Sequence, residues 1–414
     1  MKTHALSRPL VRGFQPTQKM VNTSPTTKKT RNQSGALIGS NDDLLIEILL
    51  RLPVISVVRF KSVSKHWLSL LSQRPFTLMY KNVSISPGFY IHNKYIPFDV
   101  DNQIVPLEIY PHACGIRIVQ SCNGLLLCCT LQRIQERKYY VFNPTTKQIA
   151  FIPSIPGGRN VRNTITFMGL AFHQTDCVHY KVVCFHHAQH DEKLFQIQIY
   201  SSDARKWKIS DESFSFSAPY YESIGSGVYW NQAIYWAPFS ATPLYFKIDT
   251  EELQSLSFPI EAAVESLGGG PNGAMRLYFG ESRGHLHLVV KADRSETHLH
   301  LNVYEMLNDC SGWFVKYRLD LDELLNSYPE ISTRFYKFQV LDVVRGEEED
   351  ETFMVFMIPG NKIIRYNVAD KSCKQIYDLW LLLKKKQKYD LSSVIDGPIE
   401  HSEVHRYIET IVSF

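Results

Sequence analysis

The sequence lacks the short motifs that mark the commonest catalytic and nucleotide-binding sites. Its 414 residues contain no G-x-S-x-G, no Walker loop, no G-x-G-x-x-G after a predicted strand and no H-E-x-x-H. Hydrolysis by a nucleophile elbow, phosphate binding by a P-loop, dinucleotide binding and zincin chemistry therefore have no support in the sequence. We expect no catalytic residue, no bound metal and no cofactor.

Paired cysteines and long apolar runs are also missing. None of the eight cysteines forms a C-x-x-C pair, and most lie in apolar strand-like runs, which is typical of reduced core thiols. No run approaches the ~18 apolar residues of a membrane span, and the first ten residues lack the apolar stretch of a secretory signal. We therefore expect a protein of the cytoplasm and/or nucleus that does not bind a membrane.

The chain carries little net charge, and that charge is unevenly placed. The formal net charge is +4, yet residues 1–41 hold seven basic residues and no acidic one, so the remainder carries about −3. A near-neutral body argues against nucleic acid as a partner, because such proteins concentrate basic residues on one face. Residues 1–39 are polar, basic and proline-containing, which predicts a disordered tail. A transit peptide shares this acid-poor composition and remains an alternative.

Residues 40–76 read as three short helices. Asp42 and Asp43 can cap the first helix, Pro53 separates it from the second, and Ser64 can cap the third. The first helix has one wide apolar stripe, formed by Leu44, Leu45, Ile48, Leu49 and Leu52. A unit of ~40 residues cannot bury so much apolar surface within itself. The helices therefore pack either against the rest of the chain or against another protein.

The same segment resembles the F-box motif. The resemblance rests on DLLIEILLRLP, on VVRFKSVSKHWLSLL and on Pro75-Phe76, although Ser40-Asn41 stands where the family usually has leucine-proline. It implies an F-box over residues 40–81 that binds a Skp-family adaptor of a cullin-RING ubiquitin ligase. The residues expected to bind the adaptor are Leu44, Leu45, Ile48, Leu49, Leu52, Pro53, Val57, Val58, Phe60, Val63 and Trp67.

A weak repeat of strands and turns fills the rest of the chain. Aromatic residues make up 12% of the sequence, which favours strands. Each repeat places an aromatic residue in a strand just before a polar turn, and the six aromatics are Phe98, Phe142, Tyr200, Phe246, Tyr304 and Tyr366. Their spacing of 44 to 62 residues lies near the ~40–50 residues of a propeller blade lengthened by loops. We predict a six-bladed β-propeller over residues 82–414, which the unit after Lys362 closes; a β-sandwich is the alternative.

Two segments of this domain resemble the plant-type F-box-associated, kelch-like propeller domain. They are QSCNGLLLCC, where asparagine-glycine makes a hairpin turn, and VFNPTTKQIAFIP, where asparagine-proline makes the next turn. The complete kelch signature is not satisfied. The predicted architecture is thus an α+β multidomain protein, with a three-helix F-box followed by an all-β propeller.

Two groups of side chains in the β domain are candidate sites. Two His-Leu-His pairs lie on one predicted hairpin, at His285, His287, His298 and His300. With a turn near Arg294, Leu288 would face His300 and Val290 would face His298, so the histidines would not meet across the ladder. We interpret them as exposed strand histidines, with metal binding as the alternative.

Tyr220 and Tyr221 lie in a loop-like segment, SAPYYES, within an aromatic-rich region. Because tyrosine is enriched at interface hot spots, we predict that this pair contacts a protein target, with coverage of a blade seam as the alternative. Together with the F-box resemblance, these observations predict a non-catalytic substrate receptor of an SCF-type ubiquitin ligase. The alternatives are an adaptor-binding scaffold without a role in degradation and an enzyme built on a propeller.

Overall fold

The structure is a computed structural model that describes residues 35, 38–80, 88–91, 94–98, 116–131, 136–174, 179–188, 191–215, 227–237, 243–259, 275–292, 298–331, 338–378 and 404–412. The chain divides into two compact units, Met1–Leu49 and Leu50–Phe414.

Four helices, one more than the sequence predicts, occupy the stretch between residues 42 and 79. They are α1 (Asp42–Leu49), α2 (Val54–Phe60), α3 (Lys65–Ser72) and α4 (Arg74–Met79). The additional helix α4 starts around Pro75, which lies within its first two positions, where the missing N–H costs nothing. Two further short helices, α5 (Gly158–Asn163) and α6 (Asp322–Ser327), lie between strands of the β domain.

The helix starts show which side chains serve as caps. The Ser64 side chain accepts a hydrogen bond from the Trp67 N–H at 3.1 Å, which confirms Ser64 as the cap of α3. At α1 the cap is Asn41, whose Oδ1 accepts from the Leu44 N–H at 3.2 Å, and not Asp42 or Asp43. The two aspartates lie instead in the first helical turn, where their charge still complements the helix dipole.

Six antiparallel sheets form the β domain. Blade 1 consists of β1 (Gly88–Ile91), β2 (Lys94–Pro97) and β23 (Val404–Tyr407). Blade 2 consists of β3 (Ile116–Cys122), β4 (Leu125–Thr130), β5 (Tyr139–Asn143) and β6 (Gln148–Phe151). Blade 3 consists of β7 (Ile165–Ala171), β8 (Lys181–Ala188), β9 (Asp191–Ser201) and β10 (Lys206–Ser215).

The other three blades repeat the same four-strand order. Blade 4 consists of β11 (Val228–Trp230), β12 (Ala233–Trp236), β13 (Leu244–Lys247) and β14 (Leu253–Ser255). Blade 5 consists of β15 (Met275–Ser282), β16 (His285–Lys291), β17 (His300–Met306) and β18 (Trp313–Asp320). Blade 6 consists of β19 (Gln339–Val344), β20 (Phe353–Ile358), β21 (Lys362–Asn367) and β22 (Cys373–Asp378).

These sheets form a six-bladed β-propeller and exclude the sandwich alternative. First strands of neighbouring sheets contact one another, as β3 does with β7 and β15 with β19. The predicted repeat is confirmed, because five of the six aromatic anchors lie on the third strand of a blade. In blade 1 the strands are ordered β23, β1, β2 across the sheet, so that β2 is the third strand. The sixth anchor, Phe98, directly follows β2 and is buried.

The predicted asparagine-glycine turn is present between β3 and β4. Asn123 and Gly124 have φ values of 46° and 87°, and this pair of positive angles is the type I′ hairpin turn. The same geometry recurs between β15 and β16, where Arg283 and Gly284 have φ values of 51° and 79°. The two turns differ in their surroundings. A Cβ at Gly124 would lie 2.6 Å from the Ile408 carbonyl oxygen, whereas one at Gly284 would meet nothing within 4 Å.

The ring closes within the segment from Lys362 onward, as predicted. In this segment β21 and β22 belong to blade 6 and do not themselves close the ring. Closure comes from the C-terminal strand β23, which pairs antiparallel with β1 and contacts β3. Blade 1 therefore combines strands from both ends of the propeller sequence, so that opening the ring requires separating β23 from β1.

Side chains of the repeat join neighbouring blades. The Gln120 amide on β3 exchanges two hydrogen bonds with the backbone of Leu170 on β7, at 2.7 and 3.2 Å. The indole of Trp207 donates to the Pro153 carbonyl at 2.8 Å, and that of Trp313 donates to the Ser257 carbonyl at 2.9 Å. Trp207 lies on the fourth strand of blade 3 and bonds to the segment that follows blade 2. Trp313 lies on the fourth strand of blade 5 and bonds in the same way to the segment that follows blade 4. Such bonds satisfy polar groups at the blade seams.

Two expectations about side chains in the propeller need correction. Leu288 pairs with Tyr304 and not with His300, so the predicted register of the histidine hairpin is wrong by four residues. Within that hairpin His287 is buried, which contradicts its interpretation as an exposed histidine.

Among the six described cysteines, Cys373 is exposed and Cys310 half-buried, while the other four are core thiols as expected. None of the helices in the described part of the chain is long and apolar enough to cross a membrane.

Candidate functional site

Helix α1 exposes two of its apolar side chains. Leu44 and Ile48 are each 48% exposed, whereas Leu45 and Leu49 are buried. Leu44 and Ile48 are four residues apart and therefore lie on the same face of the helix. The single stripe predicted from the sequence is thus two stripes, of which one is accessible to a partner.

A second set of apolar side chains is exposed around helices α2 and α3. Val63, between the two helices, is 58% exposed, and Pro53 is also exposed. Four further predicted residues are half-buried: Leu52, Val58, Phe60 and Trp67. The rings of Phe60 and Trp67 pack edge to face, with their centroids 5.3 Å apart. Val57, by contrast, is completely buried.

Three exposed apolar residues of this region were not predicted as site residues. They are Leu68 on α3 and Leu78 and Met79 on α4. Leu68 lies far around the helix from the buried Leu70 but three residues before the buried Leu71, on the same face, so the helical period did not identify Leu68 as exposed. Helix α4 itself was not predicted, so its outward-facing residues could not be identified.

Helices α2–α4 are hydrogen-bonded to the propeller. The Lys61 Nζ donates to the carbonyl of Ile411 at 3.1 Å, and the Gln174 side chain donates to the carbonyl of Thr77. Burial lowers the pKa of Lys61 to about 8. Within the helices, the Tyr80 hydroxyl donates to the Leu52 carbonyl at 2.7 Å and fixes the start of α2 to the end of α4. The part of the predicted adaptor site that α2–α4 form is therefore attached to the propeller by hydrogen bonds.

The C-terminal segment that receives Lys61 is held by the turn after β5. The Asn143 amide donates to the carbonyls of Thr410 and Val412, at 3.2 and 2.8 Å. Its Oδ1 accepts from the N–H of Thr145 at 2.9 Å and so forms the predicted asparagine-proline turn. The Thr145 hydroxyl is 2.6 Å from the hydroxyl of Tyr407 on β23. The segment that closes the ring thus lies between blade 2 and the helices.

Ionisable groups also meet on the first strands of the blades. The Tyr278 hydroxyl donates to Asp342 at 2.8 Å, and the Arg406 Nε lies 3.5 Å from the other carboxylate oxygen. Burial raises the pKa of Asp342 to about 6, although the charge of Arg406 opposes this. Arg406 belongs to β23, so the cluster links the closing strand to blades 5 and 6, although Asp342 Oδ2 and Arg406 Nε are ion-paired without a hydrogen bond.

A second cluster surrounds Glu305 on β17. His285 Nδ1 lies 2.9 Å from Glu305, His287 Nε2 lies 3.5 Å from it, and Arg345 pairs with the same carboxylate. Burial acts to raise the pKa of Glu305, but the hydrogen bond from His287 and the neighbouring cationic groups lower it overall. Burial lowers the pKa of His287. The Arg345–Glu305 ion pair of this cluster joins blades 5 and 6.

Tyr220 and Tyr221, the predicted target contacts, lie outside the described residues, and their role stays a prediction. Of the described aromatic residues near them in the sequence, Trp230, Tyr235 and Trp236 of blade 4 are buried and Tyr229 is half-buried.

Comparisons with known proteins agree with this geometry. Residues 41–79 match the F-box domain family, and residues 70–382 match the family described as F-box associated beta propeller domain. The chain is 32% identical to F-box protein At5g07610 of Arabidopsis thaliana, over 84% of this chain and 87% of that protein. It is also 27% identical to F-box protein At5g49610 of the same plant, over 63% of this chain and 74% of that protein.

Proposed function

This chain belongs to the F-box proteins that carry an F-box associated beta propeller domain, and we propose that it is a substrate-receptor subunit of an SCF-type cullin-RING ubiquitin ligase. In this role the F-box binds a Skp-family adaptor and the propeller recruits a protein target. The chain contributes no catalytic group. It accelerates ubiquitin transfer by raising the effective concentration of target lysines at the ligase.

The observation that carries the proposal is the exposure of large apolar side chains within the segment that matches the F-box family. Leu44 and Ile48 on α1 and Val63 after α2 are each about half exposed. Keeping such residues in water is unfavourable by ~25 cal/mol per Å² of apolar surface relative to burying them. A groove of an adaptor that covers them gains this free energy on binding, as in other helix-in-groove complexes.

Burial divides the eleven predicted residues into two roles. We assign adaptor contact to the four exposed residues, Leu44, Ile48, Pro53 and Val63, and to the four half-buried ones, Leu52, Val58, Phe60 and Trp67. The three buried residues, Leu45, Leu49 and Val57, support the helices and do not reach a partner. Leu68 on α3 is a further exposed contact that we add to this surface.

We further propose that the target is a protein bound by loops of the propeller, that Tyr220 and Tyr221 contribute to its binding, and that the receptor acts in the cytoplasm and/or nucleus. Neither nucleic acid nor membrane is part of the proposed function. Changing both tyrosines to Ala should lower target recovery at least about tenfold, because truncation of a hot-spot residue costs ~2 kcal/mol or more. A fall in melting temperature, with recovery following the folded fraction, would make the pair structural.

The receptor function is tested by affinity purification from cells in which the proteasome is blocked. Wild-type chain is compared with Leu44→Asp/Ile48→Asp and with Ile209→Asp, a matched change at an exposed apolar residue on β10. We expect the double variant to lose the adaptor, keep the target proteins and lengthen their half-lives once the proteasome is released. The Ile209→Asp control should behave as wild type. Equal target half-lives in all three cases would favour the scaffold alternative over the receptor.

A further inference from the structure

The start of β17 and the start of α6 are fixed to each other in blade 5. The Leu299 N–H donates to the Asp322 carboxylate at 3.0 Å, and the Leu321 N–H donates to the Leu299 carbonyl at 3.0 Å. Leu299 and Leu321 are both fully buried. The residues next to Leu299 and Leu321 in the chain are therefore held in well-defined positions.

Two histidines flank the buried Leu299 and point to the same side. His298 and His300 alternate with it along the chain, and their rings are nearly parallel, 3° apart, with centroids separated by 5.7 Å. His298 Nδ1 lies 2.7 Å from Oδ2 of Asp322. One ligand atom from each of the three residues lies within 4.8 Å of the others.

We propose that His298, His300 and Asp322 bind one divalent transition-metal ion of the zinc class. Two imidazole nitrogens and one carboxylate oxygen are a known ligand set for Zn²⁺, with water as the fourth ligand. A tetrahedral ion with bonds of ~2.0–2.1 Å holds its ligand atoms about 3.3 Å apart. The three side chains are 56%, 43% and 33% exposed, so small rotations bring them to that spacing without disturbing the core.

Charge and ligand type favour this class of ion. Asp320 Oδ1 accepts a hydrogen bond from the Asp322 N–H at 3.0 Å and lies 3.9 Å from His300 Nε2, so it adds a second negative charge beside the ligands. Two carboxylates beside two histidines complement a dication. Imidazole donors select zinc, copper or nickel over magnesium and calcium, which prefer oxygen ligands alone. The ion would cross-link β17 to α6 and stabilise blade 5, independently of adaptor binding.

The test is calorimetric titration of the full-length chain, without an affinity tag and after treatment with a chelator, with ZnCl₂. We expect one ion per chain for the wild type, and affinity at least about tenfold lower for His298→Ala and for Asp322→Asn. Asn at 322 keeps the oxygen that accepts from Leu299, so a loss would report the missing ligand charge and not a broken turn. The control His179→Ala removes a similar exposed pair, in which His179 Nε2 lies 3.7 Å from Asp203, and should bind zinc as wild type does.

A second readout identifies the ligands. Cobalt(II) in place of zinc should give the strong visible absorption of a four-coordinate site in wild type and His179→Ala, and lose it in His298→Ala. Zinc should also raise the melting temperature of wild type but not of His298→Ala. Absence of saturable zinc binding in wild type would overturn the proposal. So would unchanged binding in both ligand variants, because it would place the ion elsewhere.

Discussion

The Lys61 Nζ donates a hydrogen bond to the backbone carbonyl of Ile411, at 3.1 Å and across 350 positions of sequence. The same C-terminal segment accepts two hydrogen bonds from Asn143 and follows β23, which closes the ring against β1. Helix α2 and ring closure therefore share one structural element. A perturbation of residues 408–412 should therefore affect helix α2, which carries part of the predicted adaptor site, as well as the propeller.

Lys61→Met should change how stability depends on pH. Burial lowers the pKa of Lys61 in the folded chain to about 8, from 10.5. Between these values the unfolded chain binds more protons than the folded one, so wild type gains stability as pH rises. Relative to Lys61→Met, wild type should gain about 1–2 kcal/mol between pH 7 and 10. Urea denaturation of both proteins across this range measures the difference. A difference that does not vary with pH would mean that Lys61 is well solvated.

Asn143→Asp should destabilise the propeller strongly. The change keeps the oxygen that accepts from Thr145 but removes both donors and places a carboxylate beside the carbonyls of Thr410 and Val412. We expect a loss of ~2–4 kcal/mol, because two buried acceptors lose their partner and a charge is buried.

Asn367→Asp is the matched control for this change. Asn367 makes the same turn in blade 6, with its Oδ1 accepting from Ala369, but it donates only one hydrogen bond, to Asp350, and is more exposed. We expect a loss of about 1 kcal/mol or less. Equal losses in the two variants would show that Asn143 acts through its turn alone and does not hold the C-terminal segment.

Gly124→Ala should cost more stability than Gly284→Ala. Both glycines occupy the second position of a type I′ turn, with φ values of 87° and 79°, so the backbone strain of alanine is similar. Only at Gly124 would the methyl group meet the Ile408 carbonyl and Thr410. Overpacking of this kind costs ~1–3 kcal/mol beyond the strain. Chemical denaturation should show that excess for Gly124→Ala; no excess would mean that the C-terminal segment moves away without cost.

Features with a local signal were predictable from the sequence. The Asn123-Gly124 turn follows from the need for two positive φ values, and Ser64 as a cap follows from its position before an apolar helix. Five of the six aromatic anchors fall on third strands, and the sixth directly follows one, because each precedes a polar turn in a repeated unit. These signals identify the blades and their number.

Features that depend on distant partners were not predictable. Strand β23 has four residues and pairs with β1 more than 300 positions away, and nothing local to Val404–Tyr407 announces that pairing. Likewise, Leu44 is exposed and Leu45 is buried because only one side of α1 is covered by other residues. A helical period reveals that a stripe exists but not which half of it a partner can reach.

The most direct test of the account is the affinity of the purified full-length chain for a purified Skp-family adaptor, measured by titration calorimetry. The variants are Leu44→Asp/Ile48→Asp and the control Ile209→Asp. Wild type and control should bind alike, whereas the double variant should bind at least tenfold more weakly with an unchanged melting temperature, since each buried carboxylate costs ~2 kcal/mol or more. Binding of the double variant with wild-type affinity would contradict the assignment of the exposed face of α1 as the adaptor site.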